Sequence, residues 1–203
     1  MNYNIYLSPH FSLKEMTDSQ TAVKYGIANV PSEQEIENLS RLCQGTLEPL
    51  REALQLPVVI TSGFRTKALN DKLAHPSERS QHMLGQAADF YVSSAGSIVQ
   101  GSSTSEATKS SAKGQDPGSK VQGSKFKVQG EEVPSRRELL IRAFREILTN
   151  PKIDYDQLIL YPNFIHVSCV SKERNRHNIL KARSDGKLGY GKLSYANALL
   201  LNY

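Results

Sequence analysis

The chain has 203 residues, of which 25 are lysine or arginine and 20 are aspartate or glutamate, so that its formal net charge is +5 at pH 7. This length predicts a single domain with a core of its own, and two cysteines without a CxxC pair exclude a disulfide-dense scaffold and a thiolate metal site. Neither a signal-peptide pattern nor an apolar run of about 18 residues occurs, which predicts a protein made in the cytoplasm without a transmembrane segment.

The first long predicted element is an amphipathic helix from Ser32 to Gln55. Ser32 and Glu35 have the spacing of a capping box, and apolar residues then recur every three or four positions. Gly45 and Pro49 interrupt the pattern, because glycine weakens a helix and proline lacks the amide hydrogen that a helix interior needs. The sequence therefore predicts one long, kinked helix.

Two short strands and a short helix are predicted next. The β-branched run Pro57–Thr61 predicts a buried strand, Lys67–Ala74 predicts a short helix, and Ala87–Val92 predicts a second strand. The second strand ends where the composition of the chain changes.

Residues 93–130 contain 10 serines, 6 glycines, five lysines and two acidic residues, and thus account for +3 of the net charge of +5. Such a segment buries too little apolar surface to offset the entropy of ordering its backbone, so it is predicted to be a disordered insertion between a strand and a helix. Because the rest of the chain then carries only about +2, we expect no nucleic-acid partner.

The regular pattern resumes at Ser135, which with Glu138 has the spacing of a second capping box at the start of a helix. Two apolar strands follow, Gln157–Leu160 and Phe164–Val170, and residues 161–163 between them predict a tight hairpin turn. These elements predict an α+β fold in which helices pack on a small antiparallel sheet, with a C-terminal extension after about residue 171.

Two of the five histidines, His82 and His166, are candidates for chemistry. His82 precedes Asp89 by seven positions in a segment rich in small residues, and His166 lies in the middle of an apolar strand. Two histidines and one carboxylate are a common ligand set for a catalytic Zn²⁺, which keeps its fourth position open for water. The alternative is that each histidine is a satisfied core residue, and spacing alone does not decide between the two.

Three ordered motifs strengthen the zinc hypothesis. Residues 62–65 read Ser-Gly-Phe-Arg, residues 80–89 follow the pattern Ser-x-His-x-x-Gly-x-Ala-x-Asp, and residues 166–168 read His-Val-Ser. In this order the motifs resemble those of the D-alanyl-D-alanine carboxypeptidase-like zinc peptidases, a group of bacterial carboxypeptidases and phage endolysins that cut the peptide stems of peptidoglycan. The resemblance covers about residues 7–168, except the insertion.

The resemblance implies roles for five residues. His82, Asp89 and His166 match the zinc ligands of the family. Arg65 matches the arginine that holds or polarises the peptide, and Ser80 matches a serine that hydrogen-bonds the substrate backbone. A planar guanidinium suits a carboxylate or carbonyl oxygen. Without the resemblance, a surface salt bridge for Arg65 and a turn hydroxyl for Ser80 would be the expected roles.

The chain departs from the family where a general base is expected. The family usually carries a glutamate or aspartate shortly before the last histidine, but residues 160–165 contain no carboxylate. A turn at residues 161–163 would pair Leu158 with His166. Asp156 would then lie on the same face as His166 and diagonal to it, within reach of a side chain or one bridging water.

Several roles for Asp156 remain open. It would act as the general base or as the residue that orients His166, while an aspartate that caps backbone amides at the start of a strand is an equally good interpretation. Tyr161 is a further candidate for a proton-donating or oxyanion-stabilising group.

The leading hypothesis is a single, monomeric zinc peptidase-like domain over residues 1–203 that hydrolyses peptide bonds in peptidoglycan stem peptides. The alternative is a non-catalytic cell-wall peptide-binding module that kept the ligands and Arg65 but lost the base. Because no export signal is visible, action on the cell wall would follow release from the cytoplasm.

Overall fold

Residues 5–94, 134–182 and 190–201 are described by a computed structural model of the chain. The segment predicted to be a disordered insertion, residues 93–130, lies outside the described residues except for its first two, so its disorder stays a prediction. In the described part of the chain, no helix combines the length and the apolar character that crossing a bilayer requires.

Within the described residues the chain forms short strands and helices in an α+β order. The elements are β1 (Tyr6–Ser8), β2 (Phe11–Ser12), α1 (Leu13–Thr17), α2 (Gln20–Tyr25), α3 (Glu33–Leu42), a π-helical turn (Cys43–Leu47), α4 (Glu48–Leu54), β3 (Val58–Ser62), α5 (Lys67–Asn70), a 3₁₀ helix (Gln81–Leu84), β4 (Ala87–Val92), α6 (Arg136–Thr149), β5 (Gln157–Leu160), β6 (Ile165–Ser168), β7 (Asn178–Ala182), β8 (Tyr190–Lys192) and α7 (Tyr195–Leu199).

The strands form two sheets. Strands β1 and β2 make a small antiparallel sheet, and the main sheet has six strands in the order β3-β4-β6-β5-β7-β8. Its neighbours are antiparallel except β5 and β7, which run parallel. The predicted α+β class is confirmed, and the main sheet is larger than the sequence indicated because two strands after residue 171 extend it.

The long helix predicted before β3 is continuous, as α3, the π-helical turn and α4. The capping box of Ser32 and Glu35 is formed at its start. Pro49 has no amide hydrogen to donate to the carbonyl oxygen of Gly45, four residues earlier, and the amide of Asp154 donates to that oxygen instead, at 2.9 Å. The interruption of the helix thus becomes the docking point for the segment that precedes β5.

Alternation along the central strands separates a core face from a site face. Phe90 of β4 is buried in the hydrophobic core with Ile165 and Val167 of β6, and helices α3, α4 and α6 supply much of the rest of that core. Asp89 and His166 occupy alternate positions of the same strands and therefore lie on the opposite face, which we call the site face.

The hairpin between β5 and β6 differs from its prediction by one residue. Leu160 pairs with Ile165, so the loop contains four residues, 161–164, rather than three. A hydrogen bond of 3.0 Å from the Tyr161 amide to the Phe164 carbonyl closes the loop, and the two rings stack with centroids 4.2 Å apart. Phe164 lies in the loop, and β6 begins one residue later than predicted, at Ile165.

The longer loop changes the partner of His166. His166 lies opposite Ile159, and the prediction that it pairs with Leu158 is wrong. Because side chains alternate along a strand, Gln157 and Ile159 share the site face with His166. Asp156 precedes Gln157 by one position and is therefore not one of the residues that alternate onto this face. The predicted diagonal placement of Asp156 beside His166 is therefore wrong as well.

Candidate metal centre

Strands β4 and β6 place Asp89 and His166 side by side. The two residues are partners in the antiparallel register, and both side chains lie on the site face. Nδ1 of His166 lies 2.8 Å from Oδ1 of Asp89. The pairing of two strands thus brings together two predicted ligands that are 77 residues apart in the sequence.

His82 reaches the same place from the 3₁₀ helix. Gly85 ends this helix in the left-handed conformation, with φ of 66°, and turns the chain into β4. Nδ1 of His82 lies 2.7 Å from the carbonyl oxygen of Gly63. Because only a protonated nitrogen can donate to a carbonyl, the neutral ring holds its proton on Nδ1 and keeps the lone pair of Nε2 free.

The three side chains form a compact group of donor atoms. Nε2 of His82 lies 3.2 Å from Nδ1 of His166 and 3.4 Å from Oδ1 of Asp89. Within the residues that the structure describes, this is the one group of histidine, cysteine and acidic side chains that could hold a metal ion. The His82 side chain is only 3% exposed, whereas Asp89 and His166 keep 18% and 13%, so the group is accessible to solvent from one side.

Electrostatics keep two of these groups in forms that bind metal. Burial by itself raises the pKa of Asp89, but His82 and His166 beside it hold that pKa well below its usual range, so the carboxylate is ionised. Burial lowers the pKa of His82 and outweighs the opposing attraction of Asp89, so the ring is neutral near pH 7. Ionised carboxylates and neutral imidazoles are the forms that ligate metal ions.

Arg65 and Ser80, the predicted substrate-binding residues, lie next to each other beside this group. Nη2 of Arg65 donates to Oγ of Ser80 at 3.3 Å, and the Arg65 amide donates to the carbonyl of His82 at 3.2 Å. Burial lowers the pKa of Arg65, and the negative charge of Asp89 opposes that shift. Nε of Arg65 is buried and has no hydrogen-bond partner among the described residues, so the guanidinium is not fully satisfied within the protein.

Asp156 is held in a separate network. Its side chain is fully buried, and both carboxylate oxygens accept hydrogen bonds from Arg176. Nε2 of Gln81 donates to Oδ2 of Asp156 at 2.9 Å. Burial by itself raises the pKa of Asp156, but the hydrogen bonds from Arg176 lower it to about 2. A carboxylate in this state accepts a proton poorly at neutral pH, because a general base works best with a pKa near the working pH.

The pairing of Asp156 predicts a loss of stability in acid. The carboxyl has its ordinary pKa of 3.8 in the unfolded chain and about 2 in the folded protein, so its stabilisation is complete above about pH 4 and is lost as the pH falls toward 2. The shift corresponds to about 2 kcal/mol. We expect Asp156→Asn to lower the free energy of unfolding in urea by about this amount at pH 6 and by clearly less at pH 3. An equal penalty at both pH values would contradict the assigned pairing.

Sequence reasoning missed three groups that shape the site. The Gly63 carbonyl lies inside a motif that was singled out for Arg65, and Gln81 lies between two predicted site residues, so adjacency was an available signal for both. Arg176 lies 20 residues after Asp156, in the predicted extension. Nothing in the sequence pattern linked Arg176 to Asp156.

Comparison with known proteins agrees with this geometry. A family model described as Peptidase M15 matches residues 9–116, more than half of the chain. No curated protein matches the chain. The matched part includes Arg65, Ser80, His82 and Asp89, while strand β6 brings His166 to them from beyond it. The chain therefore belongs to the Peptidase M15 family of metal-dependent peptidases.

Proposed function

We propose that the protein hydrolyses peptide bonds in peptidoglycan stem peptides with the help of a bound Zn²⁺, as a carboxypeptidase that releases terminal D-Ala or as an endopeptidase. The observation that carries the proposal is the convergence of His82, Asp89 and His166, whose donor atoms lie 2.8 to 3.4 Å apart. Membership of the Peptidase M15 family supports a peptide substrate of the peptidoglycan type.

Zinc suits this donor set better than a harder cation does. Imidazole nitrogens are good ligands for Zn²⁺, whereas Mg²⁺ and Ca²⁺ prefer six or more oxygen ligands. Ligand atoms about 2.0–2.1 Å from a tetrahedral Zn²⁺ lie about 3.3 Å from one another, close to the distances between the donor atoms of this group. Three protein ligands leave a fourth position open, as in catalytic rather than structural zinc sites.

A Zn²⁺ held by these residues would supply a Lewis acid that polarises a carbonyl and lowers the pKa of water. Binding and orientation of the peptide fall to the protein. We propose that the Arg65 guanidinium, whose Nη2 lies beside Ser80 next to the metal ligands, donates from its terminal Nη atoms to a carbonyl or terminal carboxylate oxygen of the substrate. Ser80, which accepts from Arg65, keeps the guanidinium oriented and binds the peptide backbone.

For proton transfer, the contacts of Asp156 count against it, and we propose Tyr161 in its place. Asp156 is ionised but is engaged by Arg176 and Gln81, and we propose that it does not serve as the general base. Ionisation of Tyr161 is coupled to the pKa of Arg65, so the Tyr161 hydroxyl lies within electrostatic range of the substrate-binding guanidinium. We propose that this hydroxyl stabilises the oxyanion or donates a proton to the leaving amine.

Turnover of a defined peptide tests the function. The zinc-loaded full chain is incubated with a stem pentapeptide that ends in D-Ala-D-Ala, and the products are identified by mass spectrometry. We expect cleavage that stops when the metal is removed by a chelator. Release of D-Ala identifies a carboxypeptidase, and internal fragments identify an endopeptidase.

Tyr161→Phe keeps the ring that stacks on Phe164 and should lower kcat by about 10² to 10⁴.

The rival function is a peptide-binding module without turnover. Its support is that Asp156, the predicted base, is already paired with Arg176. Tight binding of the pentapeptide without any cleavage over hours would favour the module and refute the peptidase. Wild-type activity in Tyr161→Phe would remove Tyr161 from the mechanism but leave the peptidase proposal standing.

A further inference from the structure

We call His82, Asp89 and His166 the metal group. The buried carboxylate of Asp156 contacts both chain segments that carry the histidines of this group. Its Oδ2 accepts a hydrogen bond of 2.9 Å from Nε2 of Gln81, the residue before His82. The same oxygen lies 3.5 Å from Oγ of Ser168, two residues after His166. One side chain thus links the 3₁₀ helix to strand β6.

Arg176 keeps this carboxylate in place. Its amide and its Nε donate to Oδ1 of Asp156, at 2.8 and 2.9 Å, and its Nη2 donates to Oδ2. Nη2 also lies 3.4 Å from Oε1 of Gln81, so the guanidinium spans both partners. A buried carboxylate requires such compensation, and several charged donors in fixed positions hold it in one orientation.

The two histidines come from distant parts of the chain. His82 and His166 are 84 residues apart in the sequence, and their ring nitrogens must converge for a metal ion to bind both. Residues that orient metal ligands without touching the metal typically contribute a factor of about 10 to 100 to metal affinity.

We infer that Gln81, Asp156 and Arg176 form a positioning network for the metal centre. Arg176 fixes the orientation of the Asp156 carboxylate. This carboxylate in turn contacts the 3₁₀ helix through Gln81 and strand β6 through Ser168. The network thereby sets the separation of the two histidine rings. The inference rests on the metal centre of the proposed function but not on turnover, and it assigns a role to the segment after residue 171, from which Arg176 comes.

The Zn²⁺ affinity of the full chain, measured at pH 7 by competition with a chromophoric chelator, tests the network. Gln81→Met keeps the length of the side chain but removes the amide that donates to Asp156, and Asp156→Ala removes the centre of the network. We expect each variant to bind Zn²⁺ about 10- to 100-fold more weakly than the wild type. The visible spectrum of Co²⁺-loaded Gln81→Met should also change, because the coordination geometry changes.

Glu48→Gln is the matched control for a merely structural effect. Glu48 is also a buried carboxylate, and it accepts from the Ser8 hydroxyl and pairs with His10. These partners belong to the N-terminal hairpin of β1 and β2 and not to the segments that carry His82, Asp89 and His166. The substitution should lower the free energy of unfolding while the Zn²⁺ affinity stays at the wild-type value.

The outcomes separate this inference from the proposed function. Wild-type Zn²⁺ affinity in folded Gln81→Met would overturn the network, even where Asp156→Ala fails to fold. A wild-type chain that binds no Zn²⁺ would overturn the network together with the metal centre. A wild type that binds Zn²⁺ tightly but cleaves no peptide would refute the peptidase alone, and a weakened Gln81→Met would still support the network.

Discussion

Replacing His166 by alanine is expected to abolish tight Zn²⁺ binding and, with it, peptidase turnover. His166 supplies one of three donor atoms that lie within 3.4 Å of one another. Losing a direct bond to the metal should weaken binding by more than about 100-fold, the upper end of the effect of residues that merely orient a ligand. The fold should survive, because His166 lies on the site face and outside the core. Equilibrium dialysis followed by metal analysis measures the effect.

Zinc binding is measured in the same way for variants of the other two ligands and for a control histidine. His82→Ala and Asp89→Ala should lose zinc as His166→Ala does, because each removes one donor of the group. His75 is exposed between α5 and the 3₁₀ helix, so His75→Ala should bind zinc like the wild type. Stoichiometric zinc in His166→Ala, with circular dichroism unchanged, would contradict the ligand assignment.

Gly85→Ala is expected to destabilise the fold strongly. The backbone of Gly85 has a φ of 66°, and a Cβ there would lie 2.4 Å from the carbonyl oxygen of Glu35. The left-handed conformation costs an alanine about 1–2 kcal/mol, and overpacking against a fixed backbone costs about 1–3 kcal/mol more. We expect urea unfolding to report a loss of about 2–5 kcal/mol. Zinc affinity should fall as well, because Gly85 ends the helix that carries His82.

Gly26→Ala separates the cost of the left-handed conformation from the cost of the steric clash. Gly26 has nearly the same backbone conformation, with a φ of 62°, but a Cβ there would meet nothing within 4 Å. This variant should therefore lose only the conformational part, about 1–2 kcal/mol. Equal losses in the two variants would show that the close approach of Gly85 to α3 contributes nothing.

The sequence by itself determined the local elements, because their signals come from neighbouring residues. Both predicted capping boxes are formed, at Ser32 with Glu35 and at Ser135 with Glu138. Strand β4 begins and ends where the pattern predicted it, at Ala87–Val92. The predicted short helix after β3 was too long, since α5 ends at Asn70.

The motifs also identified the residues that converge in the metal group. His82 and Asp89 stand at a fixed spacing within one motif, and the strand that carries Asp89 pairs in register with the strand of His166. Family membership supports the motif interpretation independently of the contacts. Ordered motifs indicate which residues form a site because the chemistry of the site requires particular residue types, whichever helices or strands carry them.

Only the tertiary structure decided the extent of the main sheet. Strand β7 pairs in parallel with β5, and β8 pairs with β7, so the predicted extension continues the sheet. A parallel pair requires a crossover connection of about a dozen residues or more, rather than a tight turn. Which strand receives such a crossover depends on the packing of the whole sheet, and no short pattern encodes it.

The surroundings of Asp156 were likewise decided by tertiary contacts. The loop in which Tyr161 stacks on Phe164 is one residue longer than predicted, and a shift of one residue moves a side chain to the other face of its strand. Arg176 then reaches Asp156 from the segment that leads into β7. The sequence shows which residue types are present, but the partner of a buried charge depends on which distant segment the packing brings to it.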